Sequence, residues 1–323
     1  MLATGPSAVI FTGECTSGRH AGKKVAIKVQ PRNQKTIYQI TTENHALSIL
    51  GRTGAKNLQQ ALAYGSHNDS CYVLVTELLG SNLLSLLPAS NGLSARNTLL
   101  VAYQTLEVIA GVHAHSFVHR DIKPENLVLG NGAAESQVHL IDFGTAEALL
   151  DRNGARRAAP QRMEGTLPYM ATTVHQKQPL SKRDDLESLA WTLVKLHLGA
   201  LPWEALDMKK EKDVLKQKEA CKKNVAALGE MSPFMRMFFD GYHPLYTRTR
   251  LTTSHERECM HLSLNLSVEV CDAELLDAIW ALRTEDDVDY PALLSLVKDA
   301  WRAGTPKKDF GAFPAAGKAR LVV

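Results

Sequence analysis

Residues 118–130 read VHRDIKPENLVLG, a histidine, an arginine, a lysine, two carboxylates and an amide leading straight into an apolar run. A surface turn tolerates such a set but does not need it. Two further short clusters accompany it at long range. Val25-Ala26-Ile27-Lys28 lies upstream in the β-branched run KKVAIKVQ (23–30), and Asp142-Phe143-Gly144 lies downstream of the strand-like VHLI (138–141). Each alone is weak, and a DFG triplet in particular arises easily by chance. Three in this order, each where a strand or a loop is read, constrain the fold more than any other feature of the chain.

The 323 residues suffice for one large domain or for two lobes around a cleft. Apolar residues at 45% and charged residues at 22% are ordinary globular values, and a formal charge of +3 is too small to point to nucleic acid. Cys15, Cys71, Cys221, Cys259 and Cys271 are odd in number and show no CxxC spacing, which favours reduced thiols over a disulfide framework. No apolar stretch reaches the roughly eighteen residues of a membrane span, and no signal peptide is visible. A soluble protein of the cytoplasm or nucleus, with no membrane partner, is expected. The texture changes along the chain. SAVIFTG (7–13), KKVAIKVQ (23–30) and CYVLVTELL (71–79) read as strands, interrupted by one helix over about 34–50. Long helices follow over 95–115 and over 181–199, the second opening at Ser181 and closing at Gly199.

His119-Arg120-Asp121 with Asn126 resembles the catalytic-loop pattern H-R-D-x-x-x-x-N of protein kinases, and the lysine strand and DFG triplet resemble its companions. The resemblance implies an α+β, two-lobed protein-kinase fold. A small N-terminal β-sheet lobe with one helix would span about 1–76, a hinge 77–82, and a larger, mainly helical lobe 83–303. It implies ATP as phosphate donor and Mg²⁺ as metal. Phosphoryl transfer has a loose transition state, so residues chiefly position groups and neutralise charge. Asp121 would accept or orient the proton of the acceptor hydroxyl, and Asn126 and Asp142 would hold Mg²⁺. Lys28 would contact the phosphates, fixed by Glu43 of the 34–50 helix. Gly5, Ile10, Ala26, Thr76, Glu77 and Leu79 would line the nucleotide pocket, with the small Thr76 at its back. Lys123 stands where serine/threonine kinases carry a lysine approaching the γ-phosphate, so the partners would be proteins with Ser or Thr acceptors. His119 is expected to pack and hydrogen-bond rather than transfer a proton.

Several stretches resemble the casein kinase 1 family in particular. They are VTELLGSNL (75–83), KRDDLESLAWTLVKLHLGALPWEAL (182–206) and LRTEDDVDYPALLSLVKDAW (282–301), together with EGTLPYMATTVH (164–175), which lacks the Ala-Pro-Glu triplet of most kinases. The likeness covers about 1–303, and the vaccinia-related and tau-tubulin branches stay open beside it. Asp185 matches a buried helix Asp that braces the catalytic loop.

Three departures accompany the likeness. The glycine-rich loop keeps only Gly5, with Ala3 and Ala8 at the other glycine positions and Pro6 removing an amide donor. The chain begins inside this motif, which reads as a truncated start, and the damaged loop keeps a non-catalytic, kinase-fold scaffold open as the alternative. Pro168 stands where the family carries an arginine, although Arg152, Arg156, Arg157 and Arg162 would attract acidic acceptors. An insertion is expected within 226–272. Before it, the lysine-rich helix 207–224 reads as a solvated face. His255, Cys259 and His261 lack the fourth ligand of a zinc site, and 304–323 reads as a flexible tail. Between Gly144 and Gly165 the only hydroxyl is that of Thr145, so no phosphate acceptor is placed mid-loop to pair with Arg120 and activity without loop phosphorylation is expected. The oligomeric state is not readable.

Overall fold

The β-branched runs pair before the long helices begin. The computed structural model describes residues 3–4, 8–68, 70–87, 92–151, 153–156, 163–223 and 288–303. Its first layer is an antiparallel sheet in the order β1-β2-β3-β5-β4, built from β1 (Ala3–Thr4), β2 (Val9–Glu14), β3 (Lys24–Pro31), β4 (Ala61–His67) and β5 (Cys71–Glu77). Its register decides which side chains share a face. Ile10 lies opposite Lys28, and Ala26 lies opposite both Thr12 and Thr76. Directly paired residues, and residues two apart on a strand, point to the same side. Ile10, Ala26, Lys28 and Thr76 therefore project from one face. β4 was not foreseen: ALAYGSH is an exposed edge strand carrying Gly, Ser and His, and so lacks the apolar alternation of a half-buried one.

Helix α1 (Gln34–Arg52) starts at a capping box in which the Asn33 side chain accepts from the Thr36 amide and the Thr36 hydroxyl accepts from the Asn33 amide. Ile40, Glu43, Ala46, Leu47 and Leu50 lie on its buried side, so a carboxylate is carried inward among apolar neighbours.

The helical lobe is organised by α2 (Ala95–Ala114), the short α3 (Thr172–His175), α4 (Lys182–Leu198), α5 (Glu211–Lys223) and α6 (Tyr290–Ala303). α4 runs through the interior. It opens with a Ser181–Asp184 capping box, ends at Gly199 with φ 78°, and buries residues all round, including Trp191 edge-on to Trp203 at 4.8 Å. α2 packs against both α4 and α6. No helix among the described residues is long and apolar enough to cross a membrane.

Small hairpins place the loops. β6 (Phe117–Val118) pairs with β9 (Glu147–Ala148), and β7 (Leu127–Leu129) pairs with β8 (Val138–Leu140). The loop 119–126 and the turn 142–145 therefore emerge side by side. The lysine-rich segment corrects its reading as a solvated face: Val214, Lys218, Cys221 and Lys222 of α5 are buried. Gly5, Arg152, Arg157, Arg162, the 226–272 stretch with His255, Cys259 and His261, and the tail 304–323 lie outside the described residues.

Candidate active site

Lys28 is the point where sheet, helix and turn meet. Its Nζ donates to Glu43 Oε2 at 2.7 Å and to Asp142 Oδ1 at 2.8 Å. Burial alone would push this ammonium down, but the two carboxylates hold it above the usual lysine range. Burial pushes the Glu43 carboxyl up, with Asp142 adding to the rise against the pull of Lys28. Asp142 goes the other way: desolvation opposes its charge, yet Lys28 overrides it and holds the carboxyl at about 2. That direction agrees with a side chain still 42% exposed. Asp142 sits at φ 63°, a left-handed geometry that a side chain rarely adopts, while the next residue, Phe143, is fully buried edge-on to His119.

The second group is the loop itself. Asp121 Oδ2 accepts from Lys123 Nζ at 2.8 Å and from Asn126 Nδ2 at 3.2 Å, and the Asp121 carbonyl accepts from the same amide at 2.8 Å. Asp121 Oδ1 is buried and has no hydrogen-bond partner among the described residues. Lys123 Nζ also reaches Thr166 Oγ1 at 2.7 Å, tying the loop to the segment that follows Gly165. Gly165, at φ 110°, is required there, because a Cβ would stand 2.4 Å from the Arg120 carbonyl. His119 has both ring nitrogens engaged. Nδ1 accepts from the Asp121 amide and Nε2 donates to the Ile141 carbonyl at 3.0 Å, leaving it no proton to exchange with a ligand.

The loop is held from behind by Asp185. Its Oδ1 accepts from the Arg120 amide at 2.8 Å, and its Oδ2 accepts from the His119 amide at 2.7 Å and from His113 Nε2 at 2.8 Å. Burial opposes ionisation, but the His113 bond and the imidazoles around it keep the carboxyl below its ordinary value. These bonds hold Arg120 at φ 72°.

At the end of β5, Thr76 is buried and Glu77 Oε1 accepts from the Gln60 amide at 2.9 Å. The Leu78 carbonyl accepts from Asn131 Nδ2 at 2.7 Å. The backbone N–H and C=O of Leu79 bond nothing among the described residues. The structure thus brings Lys28, Glu43 and Asp142 together, gathers Asp121, Lys123 and Asn126 beside them, and sets Ile10, Ala26 and Thr76 on the sheet face that carries Lys28.

Sequence reading missed three contacts. Arg120 Nη1 bonds Glu147 Oε2 at 2.7 Å and lies 3.5 Å from Glu164 Oε2. His113 Nδ1 bonds the Tyr290 hydroxyl. Lys218 and Lys222 turn inward. Glutamates and lysines this common carry no local signal of a partner so far along the chain.

A sheet lobe and a helical lobe, with two lysines, three carboxylates and an amide at their junction, define the two-lobed α+β kinase class. A family model described as the protein kinase domain matches residues 9–262, more than half of the chain, and the chain belongs to that family.

Proposed function

We propose that the chain is an active serine/threonine protein kinase of casein kinase 1 type, taking MgATP as donor and acidic proteins as acceptors. The observation that carries this reading is Asp121 Oδ1. It is a buried carboxylate oxygen without a protein partner, beside a lysine that spans from Asp121 to Thr166. An unpartnered buried acceptor costs about 1–3 kcal/mol, a cost that an acceptor hydroxyl at that oxygen relieves.

The residues fit the implied metal. Asn126 uses its amide nitrogen on Asp121, leaving its oxygen as the free end, and Asp142 is ionised and partly open. These two oxygens would hold Mg²⁺, which when bound neutralises charge on the phosphates and orients them. Lys28 would bind phosphate oxygens in ATP, kept charged and aimed by Glu43. Leu79 offers the adenine a donor and an acceptor, with Ile10, Ala26 and Thr76 supplying apolar or small walls and Glu77 fixing the hinge. Asp121 would orient the acceptor hydroxyl and take its proton, and Lys123 would approach the γ-phosphate. The Ser/Thr preference rests on Lys123 and the preference for acidic acceptors on the arginines of 152–162. The domain is proposed to run to 303, since α6 packs on α2 and bonds His113 through Tyr290.

Ala8 and the surrounding loss of glycines favour a second reading, a scaffold that binds nucleotide without transfer. Phosphate incorporation into casein with MgATP, followed by phosphoamino-acid analysis, separates the two. Asp142→Asn is expected to lose at least about 100-fold in rate, the scale of removing one charge-stabilising group. Equal incorporation by both proteins would overturn the enzyme, and a nucleotide-dependent thermal shift without transfer would establish the scaffold.

A further inference from the structure

The stretch from Gly165 to Met170, ahead of α3, belongs to no helix or strand. The amides of Tyr169 and Met170 both turn back to the Thr166 carbonyl, at 2.9 and 3.0 Å. The carbonyls of Leu167, Pro168 and Met170 therefore face the body of the helical lobe, and buried carbonyls need partners there. Each has one. Trp203 Nε1 donates to the Pro168 carbonyl at 3.0 Å, and Lys218 Nζ donates to Leu167 at 2.8 Å and to Met170 at 2.6 Å.

Lys218 is an expensive way to satisfy two carbonyls. Its side chain is fully buried, and among the described residues no carboxylate bonds it. Besides the two carbonyls it meets His175 Nε2 at 3.4 Å and the Trp203 ring at 5.4 Å. Burial pushes the ammonium down to about 7, with Glu187 pulling it back and Lys222 adding to the fall. Lys222, one turn on, is a different case, since it pairs with the Glu187 carboxylate and the Thr172 hydroxyl. A lysine matched by a carboxylate knits a core together. One whose hydrogen-bond acceptors all belong to 167–175 serves that segment. The helical repeat makes this possible, because positions 214, 218, 221 and 222 share one face of α5.

The other end of the segment is fixed at the reaction centre, where the Thr166 hydroxyl accepts from Lys123, which also bonds Asp121. We propose that Lys218 is a positioning residue for the protein acceptor: by holding the Leu167 and Met170 carbonyls, it fixes the platform 165–175 on which the acceptor backbone lies in register with Asp121. This rests on the protein kinase reading above. His175 gives Nδ1–H to Glu211 Oε1 and so presents Nε2 as a third acceptor, which the three N–H groups of the ammonium match and the two of a neutral amine would not.

The test uses the full chain and the variant Lys218→Met, which keeps the length and removes the donors. The Michaelis constant for an acidic Ser/Thr peptide is expected to rise about tenfold, the scale of losing buried hydrogen bonds. The constant for ATP is expected to stay within about twofold, and amide hydrogen exchange is expected to quicken across 165–175. Lys216→Met, exposed on the same helix, is expected to change none of these. An unchanged peptide constant, or peptide and ATP constants rising together, overturns the proposal. Should Lys218→Met fail to fold, Trp203→Phe removes the bond to the Pro168 carbonyl and carries the same split at smaller size; no split there overturns it too. If the wild type transfers no phosphate at all, the kinase reading fails and the acceptor role fails with it. Exchange over 165–175 then decides the anchor alone: unchanged protection in the Met variant rejects it.

Discussion

Lys28 stands between two carboxylates, and the three side chains together carry one surplus negative charge. The surplus is shared unevenly. Glu43 is buried and its carboxyl is pushed up, whereas Asp142 stays partly exposed and is held at about 2. The carboxyl held lower is also the more exposed of the two. A consequence for stability follows with a definite sign. The ordinary carboxyl value of Asp142 is 3.8, so between that and about 2 the unfolded chain binds the proton first and stability falls with pH. The contribution is complete above the ordinary value and is lost through that window. Thermal unfolding at pH 5 and pH 3 is expected to show a smaller acid-induced loss for Asp142→Asn than for the wild type. Equal losses would mean that the Lys28–Asp142 pair makes no difference to folding.

Three helices converge behind the loop 119–126, and their joint is polar. Asp185 of α4 takes the His119 and Arg120 amides, His113 of α2 bonds Asp185, and Tyr290 of α6 bonds His113. With Nε2–H given to the carboxylate, His113 Nδ1 is an acceptor and the Tyr290 hydroxyl is its donor. Tyr290→Phe leaves a buried ring nitrogen without a partner, which costs roughly 1–3 kcal/mol. A lower urea midpoint with unchanged slope is expected, together with a several-fold loss of kcat as the loop loosens. An unchanged midpoint would show that the hydroxyl contributes nothing. Legibility in the sequence divides along the same joint. Asp185 was readable because it sits in DDLES, next to motifs of fixed spacing. His113 carries no such motif, because periodicity places a residue on a face of α2 without naming its partner. Tyr290 lies far along the chain and bonds α2 across the helical lobe, a contact no window contains. The lysines of α5 failed differently, because a charged residue reads as solvated unless its acceptors are known, and these are backbone carbonyls near residue 170. Chemistry that demands fixed residue types at fixed spacing was visible in Lys28, Asp121, Asn126 and Asp142. Packing that any donor of the right length could supply was not.

Across the whole molecule the two lobes are joined through a few named contacts. Lys28 of the sheet lobe holds Asp142 at the junction, α1 packs on the turn at Phe143–Thr145, and Phe143 stacks edge-on to His119 of the helical lobe. What remains is the charge of Arg120, which is buried beside the loop. Among the described residues Glu147 and Glu164 stand against it, drawn from either end of the segment 147–164. Two carboxylates there do what a phosphate would do, pinning both ends of the segment to the arginine, and they are present from synthesis. The one hydroxyl between Gly144 and Gly165, that of Thr145, donates to the His119 carbonyl at 3.1 Å. We expect protein treated with a broad phosphatase to keep its activity within about twofold, while the double variant Glu147→Gln with Glu164→Gln loses about tenfold in kcat as the pin is released. Lys123 and Asp121 would remain intact in that variant, so the fall would measure the register of the segment rather than damage to the chemistry. Activity abolished by phosphatase would place the controlling charge on a modified residue elsewhere, and full activity of the double variant would show that these two glutamates do not hold the segment.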